Sequence, residues 1–291
     1  MMNKILLKNF KVSDDFFFEI QKCPLTRDFP VHNHDFSELV VILEGSGIHI
    51  IDTEEYPVKA GQVYVINEGT SHGYKQVNNL KYFNVIFSMD QLILSNELRK
   101  LSGFQGLFVL EPYYRKEHKF SSKLELTPLK LKRVETILDF VLEEFNSQRS
   151  GYKILVQSYM TSLAVLLSRE YASSVNDNTE RLLKVAEAIA YMEKNFSENI
   201  TLEKLASLSF MSKRHFVRVF KQNYKLTPIE YIIGLRLKRS CELLEDRSLS
   251  ILQIALDCGF KDANYFSRKF RSVYTITPRE YRSRLIQKPT T

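Results

Sequence analysis

Residues 201–231 read TLEKLASLSFMSKRHFVRVFKQNYKLTPIEY, and residues 250–281 read SILQIALDCGFKDANYFSRKFRSVYTITPREY. Phe210, Phe216, Arg218, Phe220, Tyr224, Thr227, Pro228, Glu230 and Tyr231 recur 50 positions later, as Phe260, Phe266, Arg268, Phe270, Tyr274, Thr277, Pro278, Glu280 and Tyr281. Before the turn the offset is 49, from Ala206 to Ala255, so the second turn holds one residue more. Identities at one fixed offset mark a duplicated structural unit.

Within each copy the local chemistry is helix–turn–helix. Thr201 caps a short helix with Leu202, Leu205 and Ala206 inward, and Ser209 to Met211 make the turn. Ser212 caps the next helix. There Phe216, Val219 and Phe220 face in, leaving Lys213, Arg214, Val217, Arg218 and Lys221 outside. In the second copy Gly259 supplies the turn and Asp262 the cap. Phe266 and Phe270 are core, with Asn264, Ser267, Arg268 and Arg271 outside. Each copy ends at Thr-Pro, with proline as the first residue of a new helix.

One basic helix face is ordinarily a solvated stripe. Two such faces, at the same register after the same turn, suit the major groove of duplex DNA, where Arg pairs bidentately with guanine and Asn with adenine. A helix from Pro228 to about Asp246 would be about 28 Å long. That is near the 34–36 Å between successive major-groove faces, so one chain can engage both, with DNA bending absorbing a mismatch.

Charge follows the same division. The 291 residues carry 41 Lys and Arg against 34 Asp and Glu, for a net +7. Of these, 21 basic and 11 acidic residues fall in 181–291, leaving 20 and 23 in the first 180. The C-terminal part is thus about +10 and the remainder about −3, which points to a polyanionic partner for the former. No apolar run reaches membrane-spanning or signal-peptide length, and Cys23, Cys241 and Cys258 offer no disulfide framework. A cytoplasmic protein without membrane association is expected.

The N-terminal half is strand-like from Phe36 to about Phe87. Leu39–Leu43, Ile48–Ile51, Val63–Ile66 and Tyr82–Phe87 are short apolar, β-branched runs separated by Gly, Asn and Asp, which suggests a small antiparallel barrel. The period then lengthens. Val134, Ile137, Leu138, Val141, Leu142 and Phe145 form one helical stripe; Leu155, Tyr159, Leu163, Leu166 and Leu167 form another after Ser150-Gly151. This helical hairpin either covers the barrel or presents a dimer seam. Residues 172–180, ASSVNDNTE, have linker composition. The fold class expected is therefore multi-domain, β plus all-α: a barrel at 1–125, a helical hairpin at 126–172, a linker at 173–180 and a double helix-turn-helix domain at 181–286.

The repeat resembles the DNA-binding domain of the AraC/XylS family of bacterial regulators, over about 100 residues from Arg181 to Leu285. Its most specific stretch is Ile254-Ala255, Gly259-Phe260, Tyr265-Phe266, Arg268, Phe270, Thr277-Pro278 and Tyr281-Arg282. The resemblance implies base contacts from the third and sixth helices of that domain, at Arg214, Val217 and Arg218, then Asn264, Tyr265, Ser267 and Arg268. Val217 departs from the polar residue common there, and either reads a thymine methyl or contributes less. HNHDFSELVVILEGSGIHI, in the N-terminal half, is similar to the sensor domains of the L-rhamnose-responsive members, which implies a cupin-like fold and a small-molecule, sugar-type effector.

His32, His34 and Glu38, followed by Gly45, reproduce the HxHxxxE…G spacing of metal-binding cupins. Gly61, Gly69 and His72 fit much of the second cupin motif, with Asn67 in place of proline and Gln76 in place of asparagine. The favoured reading has these histidines satisfied by internal hydrogen bonds, with no cofactor. In a middle reading they join Glu38, Asn67 and Tyr74 in a polar lining for sugar hydroxyls. The alternative is a metal site of three nitrogens and one oxygen, in a metal-responsive regulator or a cupin metalloenzyme. The expectation is a non-enzymatic regulator whose partners are promoter DNA, a monosaccharide effector, a second copy of the chain and RNA polymerase.

Overall fold

Among the described residues eight strands build the first half: β1 (Asn3–Ile5), β2 (Phe18–Leu25), β3 (Phe29–His34), β4 (Ser37–Ile51), β5 (Glu54–Lys59), β6 (Gln62–Ile66), β7 (His72–Phe87) and β8 (Leu124–Glu125). The computed structural model describes residues 3–5, 16, 18–87, 96–112, 123–174 and 177–287. The chain divides into two units, Met1–Ala186 and Glu187–Thr291. The strands run in the order β1-β3-β7-β4-β6-β8, with β2 also on β7 and β5 on β4. Among the described residues only the β1–β3 pair is parallel. The expected antiparallel sheet domain is present. Its strand order does not return to its start, so the barrel is open among the described residues.

The period-two alternation sorts the strands into two cores. Leu39, Val41 and Leu43 of β4 join Phe18, Val63, Val65, Phe83, Val85 and Phe87 on the face covered by helices. Val40 and Ile42 join Tyr64, Ile66, Tyr74, Leu80 and Tyr82 on the other face. Covering the first face are α1 (Asn96–Arg99), α2 (Ser102–Phe104) with its π-helical continuation Gln105–Leu110, α3 (Pro128–Ser147) and α4 (Tyr152–Ser173). Lys22 of β2 reaches Glu135 at 3.1 Å and Asp139 at 3.0 Å on α3.

The α3 stripe lies as expected, with Val134, Leu138 and Val141 buried. The chain breaks at Gln148 and Gly151, both at positive φ. On α4 the buried stripe is Val156, Met160, Leu163, Leu167 and Tyr171. This is one position on from the expected start, and Leu155 is left 43% exposed. Both series have helical spacing, and periodicity alone does not choose between them.

Helix α5 (Asp177–Asn195) runs across the boundary between the units, and α6 (Leu202–Leu208), α7 (Lys213–Tyr224), α8 (Pro228–Leu243), α9 (Ile251–Asp257), α10 (Ala263–Tyr274) and α11 (Pro278–Gln287) follow in the second unit. Within the stretch of linker composition, residues 175 and 176 lie outside the described residues and helix begins at Asp177. The caps expected at Thr201, Ser212 and Asp262 are present, and the structure adds one at Ser250 and a capping box at Thr227. Thr201, Ser212, Ser250 and Asp262 each accept the amide three residues on, and Thr227-Glu230 forms a reciprocal capping box. Thr277 and Glu280 repeat it, with bonds of 2.7 and 3.2 Å. Phe216, Phe220, Phe266 and Phe270 are fully buried. Rings of that size each contribute about 3–5 kcal/mol to holding their unit.

Two details differ from the sequence reading. Helix α8 has 16 residues, hence about 24 Å rather than 28, because Glu245 and Asp246 bond three residues back and tighten the last turn. The turn alignment also shifts. Met211 N–H donates to Ala206 O at 2.9 Å, as Phe260 N–H does to Ala255 O. Phe210 and Gly259 share positive φ, +53° and +87°. Met211 is therefore the counterpart of Phe260 and Phe210 that of Gly259, and the extra residue is Lys261. The Phe210–Phe260 identity is coincidental: Phe210 is 78% exposed, Phe260 2%.

Candidate nucleic-acid interface and effector site

The outer faces of α7 and α10 match position for position, with Arg218 and Arg268 identical. Arg214, Val217, Arg218 and Lys221 lie at i, i+3, i+4 and i+7, and Asn264, Ser267, Arg268 and Arg271 stand 50 positions on. That spacing draws one stripe along a helix, opposite the stripe that buries the phenylalanines. Arg214, Arg218, Lys221, Asn264, Arg268 and Arg271 are exposed, while Val217 and Ser267 are half-buried at the stripe's edge. Among the described residues none of the four arginines enters an ion pair, so their guanidinium forks are uncommitted. Lys213 differs: its ammonium is held by Glu203 of α6 at 2.7 Å. Tyr265 also differs, since its half-buried ring packs into the second unit's core beside Phe260.

The helices are held from behind. Arg236 of α8 donates to the carbonyls of Phe196 at 2.7 Å and Glu198 at 2.8 Å. In the second copy Arg282 donates to Leu244 O at 3.2 Å and Leu249 O at 2.9 Å. The Tyr231 hydroxyl donates to buried Glu193. Gly259 permits a close approach, because a Cβ there would meet Ser197 O at 2.3 Å.

In the sheet domain the polar residues converge beside the second strand face. His32 and His72 are cross-strand partners, and Gly73 lets β3 approach: a Cβ there would meet Val31 Cα at 2.9 Å. His32, His34, Glu38, His49 and His72 are all buried. His34 Nε2 lies 3.2 Å from His72 Nε2, and His72 Nδ1 lies 3.4 Å from His49 Nε2. Glu38 Oε2 is 3.4 Å from His72 Nε2 and 3.8 Å from His34 Nε2, and Asn84 donates to Glu38 Oε1 at 3.3 Å. Burial pushes the Glu38 carboxyl up to about 7 and holds His34 down at about 4; His32 is lowered for the same reason. Tyr74 stacks on His49 at 4.4 Å, and its buried hydroxyl has no hydrogen-bond partner among the described residues.

Of the six residues expected in this lining, His32, His34, Glu38, His72 and Tyr74 come together. Asn67 sits half-buried in the turn after β6, where its carbonyl accepts from Thr70 N–H at 3.2 Å. Its side chain takes no part in the imidazole network among the described residues. His49 and Asn84 were missed. Each is the lone polar residue of an apolar run, in GIHII and YFNVIF, and that is the signal that marks them.

A pair of capped helix-turn-helix units in one chain with a sheet domain enclosing a polar cluster defines a two-domain DNA-binding regulator. Residues 18–164 match the AraC-like ligand binding domain, and residues 205–284 match a helix-turn-helix domain. The chain is 27% identical to the HTH-type transcriptional activator RhaR of Mannheimia succiniciproducens, over 96% of this chain and 98% of that one. It is 30% identical to the HTH-type transcriptional activator RhaS of Escherichia fergusonii, over 87% of each. A solved transcriptional regulator from Chromobacterium violaceum, with an AraC-type DNA-binding domain, is 38% identical over 38% of this chain and 98% of its own, with a TM-score of 0.34. The chain belongs to the AraC family of transcription regulators. Its two matched domains are regulatory rather than enzymatic, and no described helix is long and apolar enough to cross a membrane.

Proposed function

We propose that this protein is a cytoplasmic, sugar-responsive activator that reads promoter DNA with α7 and α10 placed in successive major-groove segments. The observation that carries the reading is the matched stripe, Arg214-Val217-Arg218-Lys221 and Asn264-Ser267-Arg268-Arg271, presented twice by one folded repeat. Arg214, Arg218 and Arg268 suit guanine, Asn264 adenine, Val217 a thymine methyl, and Lys221 and Arg271 phosphates. Lys213 joins only where phosphate displaces Glu203, and Tyr265 through its hydroxyl edge.

The effector is a monosaccharide held by His32, His34, Glu38, His72 and Tyr74, with Asn67 at the margin. The similarity to the rhamnose-responsive members and the density of donors and acceptors support it. Sugar must favour one arrangement of the chain over another to act as a signal. The hairpin pairs two copies, a reading supported by exposed Phe140, Ile154 and Leu155. Contact with RNA polymerase fits the relatives' designation as activators. The test selects genomic fragments on the full-length protein with and without L-rhamnose and other monosaccharides. A promoter bound in a sugar-dependent way is expected; binding indifferent to every sugar tried overturns the effector assignment.

A further inference from the structure

We propose that Arg236 is a positioning residue for DNA reading: it pins the joint between the two helix-turn-helix repeats and so sets the spacing at which α7 and α10 read an operator together. The inference rests on the placement of those helices in successive groove segments. Arg236 lies on α8, the helix that both repeats share. Tyr231 of α8 packs on Phe220 of the first repeat, with ring centroids 5.4 Å apart. Leu237 of α8 is buried in the core of the second repeat with Phe266 and Phe270.

Arg236 stands between them, half-buried, and its guanidinium serves both sides. Nε donates to Phe196 O at 2.7 Å and Nη2 donates to Glu198 O at 2.8 Å. Both carbonyls belong to the loop between α5 and α6. The loop's own bonds, Glu198 N–H to Asn195 O at 2.8 Å and Ile200 N–H to Glu198 O at 3.0 Å, are local, so the arginine supplies a tie to α8. The guanidinium carbon also lies 5.8 Å from the centroid of Phe260, the buried ring of the second turn, within cation–π range. That turn meets the same loop directly. A Cβ on Gly259 would fall 2.3 Å from Ser197 O and 2.8 Å from Ser197 Cα, so only a hydrogen fits between them.

The joint is short of the reading residues by one lever arm. Asp262 caps α10 just after this turn, and Arg268 stands six residues, about 9 Å, further along. A tilt of about 10° at the turn carries Arg268 about 2 Å sideways, enough to break a hydrogen bond to a base edge. Arg282 provides the comparison. It too donates to two carbonyls, those of Leu244 and Leu249, ahead of α9. That brace ties the second repeat to its own entry loop, whereas Arg236 ties the first repeat's loop and also faces Phe260 of the second.

The experiment uses the full-length protein and a promoter fragment selected by wild type. The segments read by α7 and α10 are located by base substitution, then moved apart or together by one or two base pairs. Wild type should prefer one spacing over its neighbours by at least about 10-fold, and Arg236→Met should flatten this to within about 3-fold while base preferences inside each segment persist. Arg282→Met should lower the unfolding temperature and keep the wild-type spacing profile. A folded Arg236→Met with the wild-type profile overturns the inference, as does a wild type that reads both segments equally at every spacing. Equal flattening in Arg282→Met would mark general loosening and overturn it too. Base substitutions that register in one segment only would instead overturn the two-segment reading itself, and the inference with it. Should Arg236→Met fail to fold, Arg236→Lys, able to bond one carbonyl rather than two, decides: a profile as sharp as that of wild type refutes the role.

Discussion

Arg218 and Arg268 occupy the same place in two equivalent helices: each lies six residues beyond its capping side chain, Ser212 or Asp262, and two before a buried phenylalanine, Phe220 or Phe270. The cap fixes where the helix starts and the phenylalanine fixes its rotation, so the guanidinium has one direction left, outward. Replacing either arginine by alanine should cost about 1–3 kcal/mol of operator affinity and relax base preference in one half of the site. Fluorescence anisotropy against operators substituted one base pair at a time reads both effects. Loss spread evenly over all substituted operators would instead mark a phosphate contact.

The two turns should respond oppositely to exchange of residue type. Gly259→Ala places a Cβ against Ser197 O at φ +87° and should destabilise by about 1–3 kcal/mol. Phe210→Gly relieves a left-handed φ worth about 1–2 kcal/mol but adds freedom to the unfolded chain worth about 0.5–1 kcal/mol. The net change should stay within about 1 kcal/mol. Urea unfolding of the two variants measures both.

Cys258 is fully buried, and burial pushes its thiol up to about 12. Cys23 and Cys241 are half-buried. At pH 8 a thiol-specific reagent should modify Cys258 last, and at the rate of the others only after denaturant is added. Mass spectrometry of partly modified native protein identifies the order.

Ile154, 69% exposed on α4, and Phe140, 49% exposed on α3, mark the hairpin's outer apolar face. If this face joins two copies, Ile154→Glu should lower the mass seen by light scattering from dimer to monomer without lowering the unfolding temperature. A wild-type protein that is monomeric at micromolar concentration would remove the proposal.

Much of the second unit was legible because its signals are local. Thr201, Ser212 and Asp262 announce helix starts, and Thr-Pro announces the next helix after each repeat. The turn alignment was not, since a repeated Phe210 and Phe260 outweigh in sequence a φ value that only the backbone reveals. In the sheet domain the motif residues His32, His34, Glu38 and His72 were readable from spacing. His49 was not, because it reaches His72 through the pairing of β4 with β7 and through bulges that shift its register. Asn67 fails for the same reason in reverse: it is near His72 in sequence but lies in a turn whose carbonyls serve the backbone. The opening of the barrel depends on strand order, which alternation alone does not encode.

The most direct measurement compares full-length wild-type protein with the Arg218→Ala, Arg268→Ala double variant. Each is titrated onto a selected promoter fragment and onto random-sequence DNA at physiological salt. The account predicts that wild type prefers the promoter by at least about 1000-fold and that the double variant loses most of this preference while remaining folded. Equal affinity of wild type for both DNAs, or an undiminished preference in the variant, would contradict it.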